Sequence, residues 1–342
     1  MSAALPELLD RVAGYTAEMD VEGEDWQSAV AAHGLLVTGR ESAAARHILE
    51  RAVETQTDEG LLAYGWGDYP KEWARWTDYD VESYKPTANP AAMAYPVLEL
   101  YDRTGEDHLL DAVRRQYEFF ETVERTADGG ITRRADKVEL FSEIIYFLSP
   151  FFVRYGQIVG DDEAIADAVK QIEVHAKHLQ DPHTGLFRHI WQEQPNTYPG
   201  GSFWSRGNGW AAAGLLDTLL LLPDDHPDRD VVADSLYALL DAVADLQDGS
   251  GFWHQRLDDP MSPLETSGTL IFAYTMQRGL NEGLLDERYA DNARRAMEAC
   301  EGIVDDDGAV KRVSKPPASS FSPLGVTPYG QGWFLLAGQQ FV

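Results

Sequence analysis

The sequence predicts an all-α fold, a closed ring of six helical hairpins forming an (α/α)6 barrel. Three observations predict it. Twelve amphipathic helical patterns follow one another, with strand-like alternation nearly absent. They alternate between segments apolar nearly all round and segments with one charged face. No linker rich in proline, serine and glycine divides the 342 residues, and no fixed-period repeat suggests an open solenoid, so one domain over 1–342 is expected.

In order along the chain, the first three helices are expected at 5–18, 25–39 and 42–56. An insertion near 60–88 then interrupts the pattern, bringing Trp66, Trp73, Trp76, Tyr79 and Tyr84 together with Asp78, Asp80 and Glu82. A long aromatic loop beside a pocket reads as a lid or specificity element, or else as a cover that touches no ligand. The fourth and fifth helices, 88–104 and 106–124, are separated by Thr104-Gly105-Glu106-Asp107. The sixth, 139–158 (ELFSEIIYFLSPFFVRYGQI), is apolar on nearly every side, and Val159-Gly160-Asp161-Asp162 divides it from the charged-faced seventh at 161–179. The eighth, 206–222, is again apolar all round and stops before Pro223-Asp224-Asp225; the ninth, 228–247, carries a polar face. Helices at 265–282, 286–304 and 327–341 complete the set. Helices apolar all round must be buried and those with one polar face must lie outside, which gives inner and outer layers. The barrel mouth, at the ends of the inner helices, is the expected pocket.

Acidic residues outnumber basic ones 57 to 28, giving a formal charge of −29, and only 7 of the basic residues are lysine. The acids are scattered, as in Asp161-Asp162 and Asp305-Asp306-Asp307, and form a solvated skin. That skin disfavours nucleic acid and anionic membranes as partners. It suits a protein working in high salt, where screening removes self-repulsion and hydrated carboxylates maintain solubility; a merely acidic protein is the alternative. A single cysteine, Cys300, excludes an internal disulfide framework, and the chain opens without a signal-peptide pattern or a membrane-length apolar run. A cytoplasmic location is expected, with monomer and homodimer both open.

Phe203 to Trp210, FWSRGNGW, stands directly ahead of an apolar helix. Trp204 and Trp210 offer flat faces to sugar rings, Arg206 offers a planar fork to a carboxylate, and Gly207 and Gly209 permit close approach. The other reading is a packed tryptophan cluster with a structural arginine. Glu143, in FSEIIYF, has almost no polar company on its helix until Arg154. Burial there would raise its pKa and keep it protonated, with Glu139 one turn earlier pushing the same way, so that it could serve as a general acid. Alternatively it ion-pairs with an arginine inside the barrel. His189, in DPHTGLFRHIW, could orient substrate or move a proton. His175 and His178 lack a nearby third ligand, so no metal site is expected. Phosphate-loop, dinucleotide and nucleophile-elbow motifs are missing from the sequence.

Several of these segments resemble the unsaturated uronyl hydrolases, glycoside hydrolase families 105 and 88, with family 105 closer. FWSRGNGWAAAGLLDTL resembles the family's W-x-R-G-N-G-W helix start, and DPHTGLFRHIW its D-x-x-T-G-L-[FW]-x-H turn. LETSGTLIFAYTMQRGLNEGLLD resembles its E-[TS]-S-[GA] helix, and TPYGQGWFLLAG its closing P-Y-G-x-G-x-F-L-L-A segment. The likeness spans most of the chain and implies an (α/α)6 barrel. The implied chemistry protonates C4 of a terminal 4,5-unsaturated uronic acid and adds water at C5, after which the glycosidic bond falls apart. The family's acid is an aspartate whose place is taken here by Glu143. A second family aspartate lines up with Asn89, and a family histidine with Arg133. The resemblance thus implies Glu143 and Asn89 as catalytic residues. It implies Arg133, His189, Trp204, Arg206, Asn208, Trp210, Trp66 and Tyr329 as substrate contacts. The expected partner is a small oligosaccharide carrying a uronic acid, with no cofactor required. A glycosidase acting on saturated glycosides, using Asp78 or Asp80 as second carboxylate, and a non-catalytic glycan-binding barrel are the alternatives.

Overall fold

Among residues 5–21, 25–62, 87–135, 137–316 and 322–342, which the computed structural model describes, there are twelve α-helices. They are α1 (Leu5–Glu18), α2 (Asp25–Thr38), α3 (Ser42–Glu54), α4 (Ala94–Thr104), α5 (Asp107–Thr122) and α6 (Ile144–Val159). The second half adds α7 (Asp162–Leu179), α8 (Ser205–Leu221), α9 (Arg229–Asp245), α10 (Thr266–Asn281), α11 (Ala290–Glu301) and α12 (Pro328–Gln339). The aromatic residues of the insertion, Trp66 among them, lie outside the described residues.

The even-numbered helices pack side by side around a circle, which α12 closes against α2. Helices α3, α5, α7, α9 and α11 lie outside their predecessors, and α1 lies outside α12. The two ends of the chain therefore form the last hairpin together. Burial follows the layers: every residue of α8 from Ser205 to Leu219 is buried. On outer α5 only Leu109, Ala112, Val113, Gln116, Tyr117 and Phe120 are, at the three-and-four spacing of one helix face. Where the circle closes, bare glycines meet. A Cβ on Gly34 of α2 would lie 2.6 Å from the carbonyl oxygen of Gly332 on α12, so no side chain fits between these helices.

Strand-like alternation is nearly absent from the sequence, yet short strands stand beside the helices. Among the described residues seven short strands form three antiparallel sheets: β1 (Glu139–Phe141), β2 (Ile190–Gln192) and β3 (Thr197–Gly200); β4 (Trp253–His254) and β5 (Leu264–Glu265); β6 (Val313–Ser314) and β7 (Leu324–Gly325). At two to four residues each they are too short to show alternation. Strands β1, β3, β5 and β7 lead into α6, α8, α10 and α12, so all three sheets stand at the N-terminal mouth of the inner ring. Two helix boundaries move accordingly. Residues 139–141 are strand and α6 begins only at Ile144, while Asn89–Met93 is a 3-10 turn ahead of α4.

The five connections from α3, α5, α7, α9 and α11 back to the mouth share one turn. Its glycine, at Gly60, Gly129, Gly185, Gly251 and Gly308, has φ between 78° and 104°. The second residue after it donates its N–H to a side-chain oxygen of a neighbouring helix. The pairs are Leu62 to Gln116, Ile131 to Gln171, Phe187 to Asn208, Trp253 to Thr269 and Val310 to Gln331. The barrel is thus an internal repeat whose uneven spacing hides it from a fixed-period search. No helix among the described residues is long and apolar enough to cross a membrane.

Candidate active site

Strand pairing assembles the site. Phe141 pairs with Ile190, and the next N–H, of Ser142, donates to the His189 carbonyl at 3.1 Å. This brings Glu143 against His189. Glu143 is the N-cap residue of α6, but its side chain does not cap the helix. Its Oε2 lies 3.3 Å from His189 Nε2 and its Oε1 lies 4.0 Å from Arg133 Nε, with Glu143 5% and His189 3% exposed. Neither Glu143 Oε2 nor His189 Nε2 makes an aligned hydrogen bond among the described residues. Arg133 donates from Nε to Asn89 Oδ1 at 3.2 Å and lies 4.5 Å above the Phe141 ring. Asn89 is buried at the start of the 3-10 turn.

From His189 the chain of contacts runs on. The Trp204 ring is 4.6 Å from the imidazole, and the Arg206 guanidinium lies 4.2 Å from the Trp204 ring centre. Arg206 donates to the Tyr329 hydroxyl at 2.9 Å and to the Ser314 carbonyl, which the Tyr329 hydroxyl also meets. Arg206 is 1% exposed and has no carboxylate partner among the described residues, and its Nε and the indole N–H of Trp204 find no acceptor there. Buried polar atoms are ordinarily satisfied; Glu143 Oε2 and His189 Nε2 at least face each other, so the Arg206 Nε and Trp204 indole N–H beside them point to a polar ligand.

Four expectations change. Glu143 is not a protonated acid at rest. Burial pushes its pKa up, but His189 and then Arg133 outweigh burial and hold the carboxyl below the ordinary glutamate value. Glu139 is not one helical turn away; it stands on β1, 3.9 Å from Arg134. The alternative in which Glu143 faces an arginine inside the barrel is the arrangement found, with a histidine added. Trp210 does not line the mouth beside Trp204. It packs at 2% exposure among Trp26, Tyr146, Phe147 and Trp333, with ring centres 5.1 to 5.9 Å apart, in an aromatic layer. Asn208 is the repeat's side-chain oxygen on α8. Its carboxamide accepts from Phe187 N–H at 2.7 Å and donates to the Phe187 and Trp204 carbonyls, leaving its polar atoms engaged with backbone. It anchors the turn that carries His189 rather than facing a ligand.

The structure also adds residues that sequence reading missed. Trp26 at the start of α2 stacks 4.8 Å from Tyr329. Ser314 contributes a carbonyl, which no side-chain pattern can announce. The histidines set aside as metal ligands have structural partners: His175 meets the Gln171 carbonyl at 2.7 Å, and His178 meets Asp128 at 2.8 Å and stacks on Trp191. The one grouping among the described residues close enough to share an ion, Glu50, Glu106 and His108, belongs to outer helices, where Arg46 already binds both carboxylates.

Comparison with known proteins places the chain in a family and a fold. A family model described as Glycosyl Hydrolase Family 88 matches residues 17–342. The unsaturated rhamnogalacturonyl hydrolase YesR of Bacillus subtilis is 27% identical over 339 residues, covering 95% of this chain and 90% of its own length. A possible member of the GH105 family from Salmonella enterica superposes with a TM-score of 0.82 at 22% identity, over 98% of this chain and 93% of that one. The unsaturated glucuronyl hydrolase of Bacillus sp. GL1 gives a TM-score of 0.72 at 15% identity, over 99% and 96%. These structural likenesses carry the fold, an (α/α)6 barrel.

Proposed function

Because the chain belongs to glycosyl hydrolase family 88, we propose that this glycoside hydrolase releases a terminal 4,5-unsaturated uronic acid from lyase-derived oligosaccharides. The bond consumed is the vinyl ether double bond. The observation that carries the reading is the buried Glu143 carboxyl with an unsatisfied oxygen, flanked by His189, Arg133 and the Trp204–Arg206 pair.

The uronate carboxylate is met by the cations Arg206 and Arg133 beside the Trp204 ring. A resting glutamate held ionised must gain a proton before it can act as an acid, and substrate binding supplies the driving force. The uronate brings a second negative charge into a buried site and draws on the arginine charge that had favoured the Glu143 carboxylate. Both effects raise the proton affinity of Glu143 in the complex. Protonated Glu143 then delivers its proton to C4. Water adds at C5, and its proton returns to the Glu143 carboxylate. The hemiketal at C5 opens to a ketone, leaving C1 as a hemiacetal that ejects the aglycone as an alcohol. Asn89, fixed by Arg133, positions a ring hydroxyl or the water. The charged surface supports a high-salt cytoplasm as the working place.

The test is incubation with unsaturated disaccharides in high salt while following the ultraviolet absorbance of the conjugated acid. The absorbance fades with the unaltered protein. Glu143→Gln slows the loss by roughly two to four orders of magnitude, the range for removing a general acid and base. Undiminished turnover by that variant would remove Glu143 from the mechanism.

A further inference from the structure

We infer that Arg256 is a specificity-determining residue that meets an anionic substituent, a carboxylate or sulfate, on the sugar following the unsaturated uronate. The inference rests on the uronyl hydrolase reading and adds to it a preference for an acidic aglycone.

Arg256 lies two residues past β4 and forms an antiparallel bridge with Trp204. The bridge is bracketed by Ser205 N–H to the Gln255 carbonyl at 3.0 Å and Leu257 N–H to the Phe203 carbonyl at 2.9 Å. Residues directly opposite in an antiparallel pair project to the same side, with Cβ atoms about 5 Å apart. Arg256 therefore rises beside the Trp204 indole, next to Arg206 and His189. Its backbone is fixed, because the Arg256 N–H donates to Ser262 Oγ at 3.0 Å, and the Ser262 hydroxyl in turn donates to the Asp259 carbonyl at 2.8 Å.

The guanidinium, in contrast, is loosely held. It reaches Asp258 and Asp259 only at 3.6 and 3.7 Å, beyond hydrogen-bond range, and its buried Nε has no acceptor among the described residues. Other arginines close on their carboxylates, as Arg154 does on Asp102 at 2.6 Å and Arg125 on Asp167 at 2.8 Å. At 32% exposure the Arg256 side chain is reachable from solvent, and it provides a cation on a molecule whose net charge is −29. An anion carried by the aglycone would satisfy Nε and displace the two distant carboxylates.

The experiment compares two unsaturated disaccharides with the same uronate, one with an acidic and one with a neutral aglycone. Binding is titrated on Glu143→Gln protein, with Arg256 intact, changed to Gln, or changed to Lys. Arg256→Gln weakens the acidic disaccharide by about tenfold or more, the scale of one lost charge-assisted hydrogen bond, and the neutral one by less than about twofold. Arg256→Lys recovers part of the difference. In protein with Glu143 restored, the change appears in KM and not in kcat. Equal weakening of both ligands, or of neither, overturns the inference. If the protein with Glu143 intact consumes neither disaccharide, the hydration reading falls. The binding comparison still decides Arg256, since no tenfold selective loss would count against it.

Discussion

At the scale of the residue, the site turns on a carboxyl pulled two ways. Burial raises the proton affinity of Glu143, and His189 and Arg133 lower it by more. In the free enzyme the protonated acid is therefore the minor form above the ordinary glutamate range, and kcat/KM, which reports free enzyme, descends as pH rises. The uronate adds a like charge in the complex, so the descending limb of kcat lies at higher pH than that of kcat/KM. Arg133→Met removes one of the lowering charges and moves the kcat/KM limb to higher pH, whatever it does to KM. A limb that stays in place or shifts to lower pH would contradict the assignment. Glu143 stood out in the sequence because acids rarely sit in apolar surroundings. The sign of its shift was not legible there, since Arg133 precedes it by ten residues and His189 follows by forty-six, and only strand pairing brings the three together.

Among elements, the turn repeated at five outer-to-inner connections positions the mouth. In the third copy Asn208 holds Phe187, two residues ahead of His189. Asn208→Ala leaves the buried Phe187 N–H and carbonyl without their partner, which costs about 1–3 kcal/mol of stability. The accompanying kinetic change is expected as a loss carried through His189, absent from a ligand-contact assay that does not involve the imidazole. Chemical denaturation with the midpoint compared at constant slope measures the stability part; an unchanged midpoint would contradict the anchoring role of Asn208. The helices themselves were legible in the apolar pattern, as were the glycine signals at Gly105 and Gly160, which sit as left-handed C-caps at φ 68° and 72°. The strands were not, because two to four residues leave no period to detect.

For the whole molecule, the decisive feature is a ring whose inner helices must carry some polar groups in its interior. Toward the C-terminal ends of the inner helices, opposite the mouth, Asp217 of α8 is 1% exposed and accepts from Arg278 at 2.8 Å and from the Tyr274 hydroxyl at 3.0 Å, both on α10. This links adjacent staves of the barrel. Asp217→Ala leaves Arg278 largely buried without its counter-charge and lowers stability by about 3–5 kcal/mol. Thermal unfolding checks this, and a midpoint within a degree of the parent would show that the pair does not hold the ring. Because the pair lies away from Glu143, folded variant protein is expected to keep its KM.

By itself the sequence determined the layers, because a helix that is apolar on every side has nowhere to lie except inside. It also determined the candidate chemistry, because an isolated glutamate and the FWSRGNGW segment bear their residue types openly. Tertiary structure alone decided which of those residues share a cavity. It put Trp210 into an aromatic layer, engaged Asn208 with backbone, set Arg256 beside Trp204, and placed His189 and Arg133 close enough to Glu143 to reverse the effect of burial. The physical reason is range: hydrophobic period acts between residues a few positions apart, while the field on a carboxyl depends on whatever distant segments the closed ring brings within a few ångströms of it.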